Sequence, residues 1–163
     1  MDLNRFELND LLLAAIKSEM ESNELYSKMA KKTKNDLLSG KLIFLAREEI
    51  KHRAFIEDIY RNHYPDKDLK IPSETPVPLP KVKMDEDTSL SNLLKQAMVA
   101  EQAASDFYKH LAGRFEAGSK INNTLMYFAD MEIGHYKILD VEKNSMERYE
   151  EDDVYWPMIH AGP

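Results

Sequence analysis

Residues 45–56 read LAREEIKHRAFI, and residues 128–139 read FADMEIGHYKIL. Both carry Glu-x-x-His inside an apolar frame: Glu49-Ile50-Lys51-His52 and Glu132-Ile133-Gly134-His135. Upstream of each lies a lone Glu followed seven residues later by a Tyr, within AIKSEMESNELY (15–26) and AMVAEQAASDFY (97–108). These are Glu19 with Tyr26 and Glu101 with Tyr108. The second Glu–Tyr pair follows the first by 82 residues, and the second Glu-x-x-His follows the first by 83. Residues three apart share one face of a helix, so each Glu-x-x-His sends a carboxylate and an imidazole the same way. Four carboxylates and two imidazoles from four helices are the donor set of a two-metal carboxylate centre in a helical bundle.

The flanking residues predict those four helices. Apolar residues recur at steps of three and four, and the helices are expected over about 9–32 (α1), 36–62 (α2), 89–114 (α3) and 120–148 (α4). In α1 the inward stripe is Leu12, Ala15, Glu19, Ser22, Tyr26, Met29; in α2 it is Leu38, Leu42, Leu45, Glu49, His52, Ile56, Ile59. In α3 it is Leu90, Leu94, Ala97, Glu101, Ala104, Tyr108, Leu111; in α4 it is Ile121, Leu125, Phe128, Glu132, His135, Leu139. All six candidate ligands, Glu19, Glu49, His52, Glu101, Glu132 and His135, fall on the stripes, and most other charges fall off them.

The heights agree as well. In an antiparallel hairpin, residues equidistant from the turn sit side by side. The midpoint of Glu19 and Glu49 is residue 34, inside a polar turn, and that of Glu101 and Glu132 lies beside Gly118. Each hairpin thus sets its lone Glu level with its Glu-x-x-His. Between the hairpins, residues 64–88 hold five prolines (Pro65, Pro72, Pro76, Pro78, Pro80). Proline at this density excludes helix and favours extended chain. The segment is long enough to return along the whole bundle, which sets α2 and α3 parallel, and long enough to let a hairpin exchange between two subunits. The tail, 149–163, is acidic at first and then aromatic and apolar, and Pro157 interrupts any long fifth helix.

Composition narrows the class. A single domain of 163 residues buries roughly two thirds of its surface. Scarce Gly and abundant Leu, Ala, Glu, Lys and Met favour helix. A net charge of −7 and a pI of about 5.3 disfavour nucleic acid as a partner. The longest apolar run, residues 11–16, is far too short for a membrane span. The opening MDLNRFELND is unlike a secretory signal, which points to the cytoplasm. There is no Cys, so disulfides, thiolate metal sites and thiol catalysis are excluded.

Packing alone does not ask for a Glu in an apolar stripe. An unpaired buried carboxylate costs several kcal/mol, and four facing one another repel. Two divalent cations bring the four charges to zero. Carboxylates with one imidazole per metal suit iron or manganese, and zinc also fits. Either Glu-x-x-His alone is weak evidence, because 31% of the residues are charged and such pairs arise on solvated faces. The repeat, the stripes and the matched heights together decide for metal. Glu48 precedes His52 by four but falls off the stripe, and its counterpart in the repeat is Met131. Tyr26 and Tyr108 read either as core residues or as hydrogen-bond partners of the ligands. Helical side chains lean towards the N-terminus, so each is expected to lean back to the Glu two turns earlier on its own helix. His63, His110 and His160 read as surface or packing residues, with His160 a remote candidate for an accessory ligand. The methionines read as core filler.

At this point the chain resembles the ferritin-like diiron-carboxylate proteins, and among them the rubrerythrin-like branch. The resemblance rests on Ala15-x3-Glu19-x6-Tyr26, Glu49-x-x-His52, Ala97-x3-Glu101-x6-Tyr108 and Glu132-x-x-His135, and spans residues 8–62 and 89–148. It implies an all-α, ferritin-like four-helix bundle holding two iron ions. Glu49 and Glu132 would bridge them, Glu19 and Glu101 would be terminal, and His52 and His135 would serve one metal each. It implies reduction of hydrogen peroxide or dioxygen, with these six residues as the catalytic set. Two departures stand out. Rubrerythrins look to a further Glu three residues after the α3 ligand, where this chain has Ala104. Full-length rubrerythrins also carry a cysteine-ligated iron, which a chain without Cys lacks, so electrons are expected from a separate protein such as a rubredoxin. A homodimer is the expected assembly. The alternatives are a ferroxidase or storage protein of bacterioferritin type and an oxygen-activating hydroxylase. Against the first, Ile50 stands where bacterioferritins carry a haem-ligating Met. The second requires an apolar pocket beside the metals.

Overall fold

The computed structural model describes residues 3–75, 77–85 and 87–155, with side chains described as far as residue 148. Helices α1 (Leu8–Lys32), α2 (Asp36–His63), α3 (Leu90–Ala112) and α4 (Lys120–Tyr155) are its regular elements. The first three match the expected spans within two residues. α4 runs on through residues 149–155, beyond the end expected near residue 148 and into the segment expected to be a tail. Backbone hydrogen bonding carries a helix past the end of its apolar stripe until something breaks it, and the acidic run contains no Gly or Pro. Residues 156–163, with Pro157 and His160, lie outside the described residues.

Local chemistry fixes the helix starts. The Asn35 side chain accepts from the backbone N–H groups of Leu37 and Leu38, and Ser89 accepts from that of Asn92. Both hold orphan donors of a first turn. The Ser119 hydroxyl does the same for Asn122 N–H at the start of α4. Gly118, with φ +80°, turns the chain between α3 and α4 in a conformation that side chains with a Cβ disfavour.

Two apolar clusters fill the bundle. One joins Leu11, Leu12 and Ile16 of α1 to Ile56 and Ile59 of α2, Phe107 and Leu111 of α3, and Leu125 and Ala129 of α4. The other joins Met29 of α1 to Leu38, Leu42 and Leu45 of α2, Leu93, Leu94 and Ala97 of α3, and Leu139 of α4. In every helix the candidate ligands lie between the residues of one cluster and those of the other. The order of clusters also gives direction. α1 and α4 run from the first cluster to the second, and α2 and α3 run the other way, so α2 and α3 are parallel. The segment 64–88 connects them along the bundle. Val77 is fully buried against the first cluster, while Val82 and Met84 pack against the second. The helix pairs α1–α2 and α3–α4 form the close hairpins, and α2 also meets α4. α1 and α3 stand on either side of a cleft of about 310 Å³.

Candidate metal centre

The structure brings all six predicted residues together at mid-height. Glu19, Glu49, His52, Glu101, Glu132 and His135 are each 4% exposed or less. Their donor atoms form two sets, each within 4.8 Å: Glu19, Glu49, His52 and Glu132 in one, and Glu49, Glu101, Glu132 and His135 in the other. Glu49 and Glu132 belong to both, which is the place a bridging carboxylate occupies.

The two imidazoles face the sets in matching ways. His52 Nδ1 lies 2.9 Å from Glu132, 3.4 Å from Glu49 and 3.7 Å from Glu19. His135 Nδ1 lies 3.0 Å from Glu132, 3.4 Å from Glu49 and 3.7 Å from Glu101. Donors about 2.1 Å from one ion, in tetrahedral or octahedral array, lie about 3–3.5 Å from each other. The spacing therefore fits atoms that share an ion. A second observation agrees: both ring nitrogens of His52, Glu49 Oε1 and Glu132 Oε1 are buried without a hydrogen-bond partner among the described residues. Buried polar atoms are normally satisfied; a cation on the His52 side would satisfy His52 Nδ1 and Glu132 Oε1, and one on the His135 side would satisfy Glu49 Oε1. The residues present therefore fit a pair of divalent metals.

Without metal, protons must balance the charge. Burial, with the Glu49 charge next to it, holds Glu19 well above the ordinary carboxylate range. Burial and the charges of Glu49 and Glu132 do the same to Glu101. Burial also opposes ionisation of Glu49 and Glu132, but contacts to His135 and His52 outweigh it and leave both below the usual range. Burial disfavours charged imidazoles, yet the surrounding carboxylates win. His52 is pushed up to about 12, and His135 is raised as well.

The tyrosines correct one expectation. Tyr26 donates to Glu101 and Tyr108 donates to Glu19, so each serves the opposite helix rather than its own. The lean towards the N-terminus lowers each hydroxyl towards the layer of ligands. α1 and α3 are antiparallel and their stripes face each other, so the oxygen in reach at that level is on the partner helix. Burial and the neighbouring carboxylates hold both phenols well above their usual range, which keeps them as donors. Tyr108→Phe should leave a buried carboxylate oxygen of Glu19 without its donor. We expect a loss of about 1–3 kcal/mol in the metal-free protein, measurable by urea unfolding, with the bundle intact by circular dichroism.

The remaining candidates fall away from the centre. Glu48 is only 8% exposed, more buried than a residue off the stripe was expected to be. Its carboxylate pairs with Lys51 at 2.5 Å and belongs to neither donor set. His63 is exposed, hydrogen-bonds to the Ile59 carbonyl and packs against Phe115. His110 also belongs to neither set. The sequence reading did not foresee the wall that Phe128 builds against the centre, its ring 4.2 Å from that of His52. Phe128 was on the α4 stripe, but its neighbour across the bundle is set only by packing.

A helical bundle whose facing helices hold four buried Glu and two His defines the class of ferritin-like carboxylate proteins. The sequence profile of the rubrerythrin family matches residues 10–143. The chain belongs to the rubrerythrin family, a ferritin-like diiron family whose metal is usually iron. A solved structure, a hypothetical protein from Pyrococcus furiosus, is 33% identical, with 91% of this chain and 95% of that one covered and a TM-score of 0.79. No curated protein matches the chain. No helix among the described residues is long and apolar enough to cross a membrane.

Proposed function

We propose that this protein is a non-haem diiron oxidoreductase that reduces hydrogen peroxide, with dioxygen as the alternative oxidant. The observation that carries the reading is the pair of overlapping donor sets with Glu49 and Glu132 in common. When bound, two ferrous ions supply the two electrons that reduction of a peroxide to water consumes. The chain's own residues do the rest. Glu19 and His52 would hold one ion, and Glu101 and His135 would hold the other. Tyr26 and Tyr108 orient Glu101 and Glu19 by donating to them. The apolar clusters above and below close the two ends of the centre to bulk water.

The sequence holds no Cys to ligate a further iron, and we take the electron donor to be a separate protein, for which a rubredoxin is the natural candidate. Diferrous protein prepared without air should react with peroxide for one turnover and then stop. A rubredoxin with its reductase should restart it. Stopped-flow absorbance and peroxide consumption read both events. If the reduced protein consumes neither peroxide nor dioxygen, the oxidoreductase reading is withdrawn.

The storage reading is favoured by the six-ligand set with Ala104 in place of a further acid. It predicts many iron atoms per chain and a cage rather than a homodimer. Particle mass by light scattering separates the two, and we expect the dimer.

A further inference from the structure

The centre is buried, yet the cleft between α1 and α3 reaches it. Two of the eight residues singled out above line that cleft, Glu19 and Tyr108. They are hydrogen-bonded to each other. Glu101 and Tyr26, their counterparts in the repeat, are not among the lining residues. The repeat makes the two halves of the centre alike in sequence, and the cleft makes them unlike in access.

Small residues keep the cleft open. Ser22 lies three residues after Glu19 and Ala104 three residues after Glu101, and both line it. A helical side chain covers the turn N-terminal to its own Cα, so a long side chain at either position would roof over the glutamate beneath. Neither does. The outer wall comes from the crossover, where Leu79 and Val82 face the cleft. The volume of about 310 Å³ is on the order of ten water molecules, at about 30 Å³ each. It is at the lower end of the range for pockets that hold small organic ligands, about 300–1,000 Å³. Hydrogen peroxide alone does not need such space, and the wall is mixed: Leu25, Val82 and Phe107 offer apolar surface beside Ser18, Glu21 and Lys28.

We infer that the α1–α3 cleft is the substrate entrance, that it serves the Glu19 half of the centre, and that it admits hydroperoxides carrying an organic group as large as cumyl. Ser22 and Ala104 set the size of the group admitted. The choice of hydroperoxides rests on the function proposed above; the entrance does not.

The absence of Cys allows a direct test. Ala104→Cys places a single thiol in the cleft, and Ala129→Cys places one in the core, where the residue is fully buried. Methyl methanethiosulfonate should label the first in the folded, metal-loaded protein. It should label the second at least about tenfold more slowly, because a buried thiol reacts only when the structure opens. Cumyl alcohol, an unreactive stand-in for cumene hydroperoxide, should slow labelling of Ala104→Cys several-fold. In a second arm, Ala104→Leu should keep its metal and lose rate with cumene hydroperoxide by roughly tenfold more than with hydrogen peroxide. Labelling of Ala104→Cys that is as slow as that of Ala129→Cys, or that the alcohol leaves unchanged, overturns the entrance. Equal losses with both oxidants in Ala104→Leu overturn the size selection. If labelling and protection occur but the wild type reduces neither oxidant, the entrance stands and the oxidoreductase reading fails.

Discussion

Loading the metal-free protein with two divalent ions near neutral pH is expected to release about four protons. Before loading, burial and the neighbouring carboxylates favour the protonated forms of Glu19 and Glu101. His52 and His135 are charged because the carboxylates around them outweigh burial. Glu49 and Glu132 are ionised, held low by their contacts to the imidazoles. The site is then neutral: two carboxylates balance two imidazolium ions. After loading, four carboxylates balance two divalent ions, and both imidazoles must be neutral to bind. Neutrality is preserved only if two carboxyl and two imidazolium protons leave. Calorimetric titration in buffers of differing ionisation enthalpy counts them. The apparent affinity for the pair should fall by up to about four powers of ten per unit drop in pH. Release of about two protons instead of four would mean that the imidazoles are already neutral in the metal-free site and that only the carboxyl protons leave.

The same shifts set how stability depends on pH. A group raised in the folded state adds stability below its unfolded value and loses it as pH rises. For His52 the loss begins above the ordinary imidazole value of 6.5 and continues towards about 12. Glu19 and Glu101 act in the same direction from the ordinary carboxylate value of 4.5 upward. Glu49 and Glu132 are depressed, so their contribution is lost as pH falls below 4.5. The metal-free protein should therefore be most stable near the ordinary carboxylate value of 4.5, weaken as pH rises from there, and weaken more steeply above pH 6.5. The loaded protein is spared this decline, because the ions replace the protons. Melting temperatures of both forms across pH should diverge as pH rises.

The second large effect is loss of the centre in Glu49→Ala with its retention in Glu48→Ala. The two carboxylates are adjacent in sequence and both are buried. Glu48 is spent on Lys51, while Glu49 belongs to both donor sets. Removing it weakens both metal positions together. The affinity should drop by more than the 10–100-fold typical of losing an outer partner of a ligand. Elemental analysis after desalting should show metal in Glu48→Ala at the wild-type level and little in Glu49→Ala. Glu132→Ala should behave like Glu49→Ala, since it too is common to both sets. Glu19→Ala touches one set alone and should leave the Glu101 position occupied. Equal metal in the Glu48 and Glu49 variants would falsify the register. Peroxide turnover should follow metal content across the series.

Much of this was legible because helices report locally. The period of three and four tells which residues of a segment share a face, so the stripes named the inward Glu and His without a structure. Turn positions added the heights: the Asn35 cap and the Gly118 turn lie where the midpoints of the hairpins require. The five prolines of residues 64–88 excluded helix, and the length of that segment implied the parallel pair α2 and α3. Each of these inferences needs only neighbours along the chain.

What the tertiary structure decided depends on neighbours across it. Periodicity says that Tyr26 and Tyr108 point inward, but not which helix stands opposite at that level, so the crossed pairs Tyr26–Glu101 and Tyr108–Glu19 had to be seen. Glu48 shows the same limit, buried although it lies off the stripe. The cleft depends on how far α1 and α3 stand apart and on where the crossover lies, and neither is written in any one helix. A repeated sequence made the two halves of the centre equivalent as donor sets. The fold made them inequivalent in access, because the crossover covers one side of a pseudo-symmetric bundle and has no counterpart on the other among the described residues.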